Sequence, residues 1–356
     1  MPAFDIVKEI DPKNTFRVQS IINTFDLPSA KVREHFKGSI DIENVEWNIG
    51  IIYGSSGTGK STIANEVFKG NVIREFEYKS PCFLDDMPKE NDMKTITQAL
   101  GSVGFSSPPS WLKPYSVLSN GEKMRCDLAR AILENKELIV FDEFTSVVDR
   151  TVAKVGSAAI AKMIRGKHKK FVAVSCRDDI VEWLAPDWVF NTNTMEFKFT
   201  RGLLQRPKIH LSIHEVSRSY WQLFRKYHYL NSNILSSSKS YCAFIDEKPV
   251  AFCSITRFVH GKVKNAMRGH RTVVLPDYQG LGIGVSLSDF VADLVLKSGE
   301  RFISTTSSPA MIFFRKKSSK WRCTHIGRCA PGSGSGEMSK TSSSSNRLTS
   351  SWEYIG

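Results

Sequence analysis

No apolar run in the 356 residues approaches the roughly 18 that a membrane-spanning helix requires. The first residues, with Asp5, Glu9 and Asp11, lack the basic-then-apolar order of a secretory leader. Both absences predict a cytoplasmic chain that does not enter a membrane. Cysteine is sparse: seven residues, at 82, 126, 176, 242, 253, 323 and 329, an odd number with no C-x-x-C pair. That spacing excludes a disulfide framework and a zinc site, and predicts thiols buried in cores. Acidic residues are scarce beyond residue 200. Residues 201–356 hold 23 of the 49 Lys and Arg but nine of the 36 Asp and Glu, a balance of +14 against +13 for the whole chain. A basic surface kept for solubility is one reading. The sharper one is a polyanion partner, nucleic acid, with DNA favoured over RNA.

At this length and 41% hydrophobic content the chain can bury two cores, and the sequence divides into domains over residues 1–200 and 201–356. In the first, Trp47–Tyr53 reads as a short buried strand that runs into Gly54-Ser55-Ser56-Gly57-Thr58-Gly59-Lys60-Ser61-Thr62, with a helix opening near Lys60. Glycines at 54, 57 and 59 let successive backbone N–H groups face phosphates, together with Ser55. Lys60 reaches the outer phosphates, Thr62 follows on the helix, and the Ser61 hydroxyl is placed for Mg²⁺. Farther on, Glu137–Phe141 is an apolar strand that ends in Asp142 and Glu143. Asp142 suits the metal and Glu143 suits polarising a water. Leu118-Ser119-Asn120-Gly121-Glu122 precedes that strand, and Ser146-Val147-Val148-Asp149 follows it.

In that order these segments resemble the ATP-binding cassette (ABC) superfamily: a phosphate loop, an LSGGQ-like signature, an acidic strand end and a D-loop. The resemblance implies ATP and Mg²⁺ as cofactors. It also implies that Ser119 and Gly121 complete the site of a second copy, so that ATP drives a homodimer. Two departures stand out. No Q-loop glutamine appears around Phe83–Asp86, and Arg177 replaces the expected switch histidine after the strand Lys170–Cys176. Arg177 can contact the γ-phosphate but cannot shuttle a proton near neutrality, which predicts slow hydrolysis. A short interval between Thr62 and Leu118 is similar to the soluble DNA-repair and chromosome-structure branch.

The second domain reads as a helix over Ile213–Leu230, a hairpin of Tyr241–Ile245 and Val250–Thr256, a strand over Arg271–Leu275 and a helix over Gly284–Leu296. A strand over Phe302–Thr305, a short helix from Pro309 and strands near Trp321 and Trp352 complete it. Between the third strand and the long helix stands Gln279-Gly280-Leu281-Gly282-Ile283-Gly284. Order and motif resemble the GNAT N-acyltransferases, so the predicted class is α/β: a P-loop ABC ATPase domain followed by an α+β GNAT-like acyltransferase domain. Gln279, Gly280, Gly282 and Gly284 are then expected to hold the pyrophosphate of an acyl-CoA, with acetyl-CoA expected, at the helix N-terminus. Asp277, Tyr278 and Ser307 are candidate acid/base groups.

Tyr227-His228-Tyr229-Leu230, with Arg225 and Lys226, interleaves rings and cations in a way that suits bases and phosphates. A packed aromatic helix end is the alternative. With His260, His270 and Arg271 the cluster resembles phage Mom-type proteins that modify the adenine amino group, which makes His228 a further catalytic candidate. Pro331–Asn346, rich in Ser and Gly, reads as a flexible insertion before a returning strand. The expected activity is transfer of an acyl group to a nucleic-acid base under ATP control. The rivals are an ATP-gated nucleic-acid binder with an inactive GNAT-like module, and an acyltransferase for a protein or small-molecule amine.

Overall fold

In the computed structural model all residues are described except 1–2, 11–14, 27–31, 135, 167–168, 229–232, 260–262 and 329–347. The insertion, His260, Tyr229 and Leu230 therefore lie outside the described residues. Two compact units interleave along the chain. The first comprises residues 1–75, 136–147 and 164–206, and the second 76–135, 148–163 and 207–356. Among the described residues no helix is long and apolar enough to cross a membrane.

The first unit is built on a six-stranded sheet in the order Val72–Ile73, Leu138–Phe141, Lys170–Ser175, Ile49–Tyr53, Trp188–Asn191, Glu196–Phe199. The first five strands run parallel and the last returns antiparallel. Parallel strands are covered on both faces and so read as continuous apolar runs, which Phe171-Val172-Ala173-Val174 and Ile49-Gly50-Ile51-Ile52 are. Ile52, Val172 and Val174 join Ile63, Ala64 and Phe68 of the Lys60–Val67 region in one core. An N-terminal hairpin, Ala3–Ile10 with Val32–Ser39, adds Phe4 and Phe36 to that core. The acidic carboxylates Asp142 and Glu143 and the glycine loop all emerge at the C-terminal ends of parallel strands, where open α/β sheets bind ligands.

The second unit holds a seven-stranded sheet in the order Trp321–Arg328, Leu348–Tyr354, Arg301–Thr306, Ala266–Val274, Lys248–Arg257, Lys239–Ile245, Ser212–Val216. Every neighbouring pair is antiparallel except Ala266–Val274 with Arg301–Thr306. That parallel pair is joined only from Ala266↔Arg301 to Arg268↔Ile303; beyond it the two strands part. The helix Ile283–Lys297 packs on the sheet through Ile283, Leu287, Val291 and Val295, one per turn. Each such side chain contributes roughly 1.5–3 kcal/mol by burial, and Leu287→Ala would cost about 2–5 kcal/mol. This face holds the helix N-terminus, and with it the glycine turn, against the sheet.

One expected element differs. Ser212–Val216 is an edge strand paired with Lys239–Ile245; helical turns begin only at Arg218 and run in short pieces to Tyr227. Ile213 and Val216 satisfy helical spacing, but Ile213 finds its partner in Ala243 of the hairpin, and tertiary pairing wins over the weak local preference. The thiols also divide: Cys126, Cys242 and Cys253 are buried, whereas Cys176 and Cys323 are exposed.

The same unit contains residues 76–135, which lie in the chain between the first two segments of the first unit. The main helix of this stretch, Asn120–Leu133, opens on a full capping box: Ser119 Oγ accepts from Glu122 N–H at 3.3 Å, and Glu122 Oε2 accepts from Ser119 N–H at 3.0 Å. Met124, Leu128 and Ala131 bury one face. Asp127 fixes the helix rotationally, accepting from the hydroxyls of Tyr78 at 2.9 Å and Tyr115 at 2.7 Å, whose rings stack 4.0 Å apart. The helix Met93–Ser102 touches Pro309–Lys317 of the sheet domain.

Candidate functional site

At the first strand end, Gly59 takes φ +80 and opens the Lys60–Val67 helix with no side-chain cap. A Cβ there would lie 2.5 Å from the Phe36 ring, so the position demands glycine on two counts. The loop is braced from the Asn191–Glu196 turn: Asn193 Oδ1 accepts from Ser55 N–H at 3.0 Å, and Thr58 and Thr192 share a 2.5 Å hydroxyl contact. Lys60 Nζ donates to the Ser55 carbonyl at 2.6 Å, folded over its own loop where phosphate oxygens can replace that carbonyl. Lys8 Nζ donates to Thr62 Oγ1 at 2.6 Å, a cation from the N-terminal hairpin that local motif reading does not find. Gly54, Gly57 and Ser55 complete the loop, and Gly57 faces open space.

Ser61 Oγ donates to Asp142 Oδ1 at 3.0 Å, which brings the two expected metal ligands together. Asp142 is buried and its other oxygen accepts from Arg74 Nη2 at 3.0 Å and Nε at 3.3 Å. Arg74 belongs to no sequence motif, and only the fold brings it to Asp142. A hydroxyl and a carboxylate oxygen on one point, balanced by a displaceable exposed guanidinium, fit a Mg²⁺ ion bound with a triphosphate. Glu143 is exposed with φ +55, a strained backbone for a non-glycine residue. Arg177 is partly buried just past the Lys170–Ser175 strand, its N–H donating to Ser175 Oγ at 3.1 Å. In the second unit, Ser119 is exposed at its helix N-terminus and Gly121 is buried against Val152.

The glycine turn follows a short 3-10 turn, Pro276–Tyr278, and opens the Ile283–Lys297 helix. Gly280 and Gly282 take φ +92 and +88. Gly282 is the helix N-cap with no side chain to satisfy the first N–H groups, and the space beside it is open. Backbone N–H groups of Ile283 and Gly284 thus sit at the positive end of a 15-residue helix, a ready anion site. Gln279 is turned inward and does not face that site: its Nε2 donates to the Val274 carbonyl at 3.0 Å and its Oε1 accepts from Ser106 N–H at 2.9 Å. Gly284 packs on Val274.

The other sequence candidates scatter. Asp277 is exposed at the start of the turn; desolvation raises its carboxyl, and the Arg125 guanidinium opposes that rise. Tyr278 packs against the sheet core and burial raises its phenol. Ser307 lies between the Arg301–Thr306 strand and Pro309. His228 sets its ring edge-on to Trp221 at 5.6 Å, beside a core of Trp221, Phe224 and Phe252, and Lys226 Nζ lies 4.8 Å above the Tyr227 ring.

A stronger position is His270. Ser254 pairs with Arg271 and Ile255 with Gly269, so His270 is the extra residue of a β-bulge on the strand that parts from its parallel neighbour. Bulges of this kind re-aim side chains beside active sites. Burial, with Arg271 and Arg268 nearby, pushes its imidazole down to about 4, so it is neutral at pH 7. In the same sheet, Arg315 is buried, stacks 4.0 Å from the Trp321 ring and donates to Ser288 and Ser304 hydroxyls at 3.2 and 3.1 Å. Cys253 is buried and its thiol is raised to about 11, too high to act as a thiolate.

Comparison with known proteins assigns the two parts. The model of the acetyltransferase (GNAT) family matches residues 203–317. Elongation factor 3 of Gonapodya prolifera is 26% identical over 161 residues, which cover 36% of this chain and 14% of that protein. An aliphatic sulfonates import ATP-binding protein of Paracoccus denitrificans is 28% identical over 133 residues, 32% of this chain and 53% of its own length. The matched segments thus span about half or less of these relatives. The ribosomal-protein-S18-alanine N-acetyltransferase from Escherichia coli aligns in structure at 16% identity and a TM-score of 0.31, covering 41% of this chain and 93% of that one. The chain carries an ATP-binding, ABC-cassette-like region and a GNAT acetyltransferase domain.

Proposed function

We propose that this protein binds ATP and Mg²⁺ through its cassette as an ATP-dependent homodimer, and transfers an acetyl group from acetyl-CoA to an amino group on a nucleic acid, DNA in preference to RNA. The observation that carries the acceptor class is charge: the +14 balance of residues 201–356 lies on the part that also holds the glycine turn. Exposed Lys316 and Lys317 close the helix from Pro309, with Phe313 and Phe314 exposed among them, so cations and rings share one surface.

In the cassette, Lys60 and the loop N–H groups hold the phosphates, Ser61 and Asp142 hold the metal, and Glu143 orients the attacking water. Arg177 adds charge toward the γ-phosphate without a titratable proton, so turnover is slow. In the transferase, the N–H groups from Gly280 to Gly284 hold the pyrophosphate. Acetyl-CoA supplies an activated thioester. The acceptor nitrogen forms the new C–N bond, the C–S bond breaks, and the thiol leaves with a proton. Neutral His270, at the strand parting, can accept the proton that the nitrogen loses and pass it to the leaving thiolate.

The deciding experiment is mass spectrometry of nucleosides from DNA and RNA incubated with the full-length protein, isotopically labelled acetyl-CoA and ATP. An added labelled acetyl group on a base supports the reading. Label found only on protein, or none despite acetyl-CoA binding, overturns it.

A further inference from the structure

Arg125 lies one turn beyond Gly121 on the Asn120–Leu133 helix and is 1% exposed. A buried guanidinium is normally held by several acceptors, yet its Nε and Nη2 have no hydrogen-bond partner. Its Nη1 lies 3.3 Å from where a Cβ on Gly121 would stand. Three carboxylates act on it at longer range: Asp277, Glu122 and Asp149. Each belongs to a different functional element. Glu122 closes the capping box of the signature, and Asp149 caps the next helix through Thr151 and Val152 N–H groups at 2.8 and 3.0 Å. Asp277 stands two residues ahead of Gln279 in the acyl-CoA turn.

The turn itself rests on the cassette segment. Besides the Ser106–Gln279 hydrogen bond, Gly104 and Gly280 meet backbone to backbone. A Cβ on Gly104 would lie 2.5 Å from the Gln279 carbonyl oxygen, and one on Gly280 would lie 3.0 Å from Gly104 Cα and 3.1 Å from Ala159 Cβ. Trp111 Nε1 holds the same segment by donating to the Phe105 carbonyl at 3.1 Å. All of these residues belong to one compact unit.

We propose that Arg125 is a positioning residue that couples the two ligand sites, so that ATP engaged at the signature weakens acetyl-CoA binding at the glycine turn. The proposal rests on the reading of both sites given above. A buried cation with two nitrogens unpartnered is held largely by the balance of the fields around it and shifts toward whichever negative charge grows. A triphosphate docked at Ser119 adds negative charge at the Glu122 end and draws the guanidinium that way. Asp277 then loses its countercharge beside a turn that must hold a pyrophosphate, and repels it. By linkage, acetyl-CoA must weaken ATP binding by the same factor.

The test is calorimetry on the full chain carrying Glu143→Gln, so that ATP persists. ATP with Mg²⁺ should raise the acetyl-CoA Kd by about fivefold or more, and acetyl-CoA should raise the ATP Kd equally. Adding Arg125→Met should abolish both shifts and, because the cation drawn toward the triphosphate is gone, weaken ATP binding measured alone; a melting curve checks that the variant folds. Asp277→Asn, which removes the facing charge without disturbing the buried arginine's site, should also abolish the shifts and serves if Arg125→Met does not fold. Equal shifts in both variants, no shift before they are introduced, or tighter acetyl-CoA binding with ATP would overturn the coupling. Absence of acetyl-CoA binding under every condition would overturn the acyltransferase reading along with it.

Discussion

Ser61 donates its hydroxyl hydrogen to Oδ1 of Asp142 across 3.0 Å, so the glycine loop and the strand end that carries the carboxylates are joined. The position a metal would take is defined by these two oxygens, and Arg74 supplies the charge that a divalent ion would replace. Glu143, next in sequence, is exposed, and its backbone N–H donates to the same Asp142 oxygen at 2.9 Å.

Glu143→Gln should therefore keep ATP and Mg²⁺ binding and stop hydrolysis. Replacing a carboxylate by an amide of the same shape removes the group that polarises water, but neither the metal ligands nor the loop. With ATP, light scattering should show the mass of two chains, and without ATP the mass of one. A single-chain mass under both conditions contradicts the sandwiched dimer.

Acid stability should carry the mark of two groups. His270 is held down near 4, so the unfolded chain takes up a proton below its ordinary 6.5 that the folded chain refuses. Its contribution to stability is present above 6.5 and is lost as pH falls toward 4. Glu353 is held below its usual range, first by its hydrogen bond to Arg301 and also by Arg322, at 2.7 and 2.5 Å, so its contribution is present above the ordinary carboxylate value and is lost as pH falls through the folded one. Denaturation midpoints should be flat above pH 7 and drop in two stages. His270→Gln should remove the upper stage only, and Glu353→Gln should lower stability at pH 7 by about 1–2 kcal/mol. An upper stage that survives His270→Gln assigns it to another group.

Much of this was legible because it is local. A glycine loop, a capping box and a glycine turn each need their residues within a few positions of one another, and Lys60, Ser119 and Gly282 stand where the sequence placed them. Contacts set by topology left no such trace. The Ser106–Gln279 hydrogen bond spans 173 positions, and Arg125 looks in sequence like any cation on a helix. His270 was noticed for its neighbours, but its place in a bulge depends on the register of Ser254 against Arg271. Ile213–Val216, the start of the expected helix Ile213–Leu230, lie on the edge strand Ser212–Val216 instead: their apolar spacing fits both forms, and only pairing distinguishes them. Likewise the linear division at residue 200 could not reveal that 76–135 and 148–163 cluster with the C-terminal part.

Nucleic-acid binding is best measured on the full chain, since residues 207–356 cluster with 76–135 and 148–163. Binding should weaken steeply between about 50 and 200 mM salt, because each neutralised phosphate releases a counterion. Lys316→Glu with Lys317→Glu should lower affinity and reduce the slope of log K against log salt by about 2, one unit for each lost phosphate contact. A salt-independent affinity contradicts the polyanion partner, and an unchanged slope in the double variant moves the contact surface elsewhere.

The glycine turn admits a sharper test than simple bulk. Gly282 has φ +88 and open space where a Cβ would stand, so a side chain there meets strain from the backbone and nothing from its neighbours. Asparagine tolerates this left-handed conformation better than most residues and carries no charge. Gly282→Asn and Gly282→Asp therefore share nearly the same strain and size and differ in charge at the helix N-terminus. If the N–H groups of Ile283 and Gly284 hold a pyrophosphate, the aspartate competes for them and repels the ligand. Gly282→Asp should then weaken acetyl-CoA binding at least about tenfold more than Gly282→Asn, a difference of about 1.4 kcal/mol. ATP affinity measured alone should be the same in both variants, because the loop around Lys60 is built from other elements. Equal acetyl-CoA affinities in the two variants would mean that no anion sits at this helix end, and the domain would then be better read as a docking module that has kept the turn only for its fold.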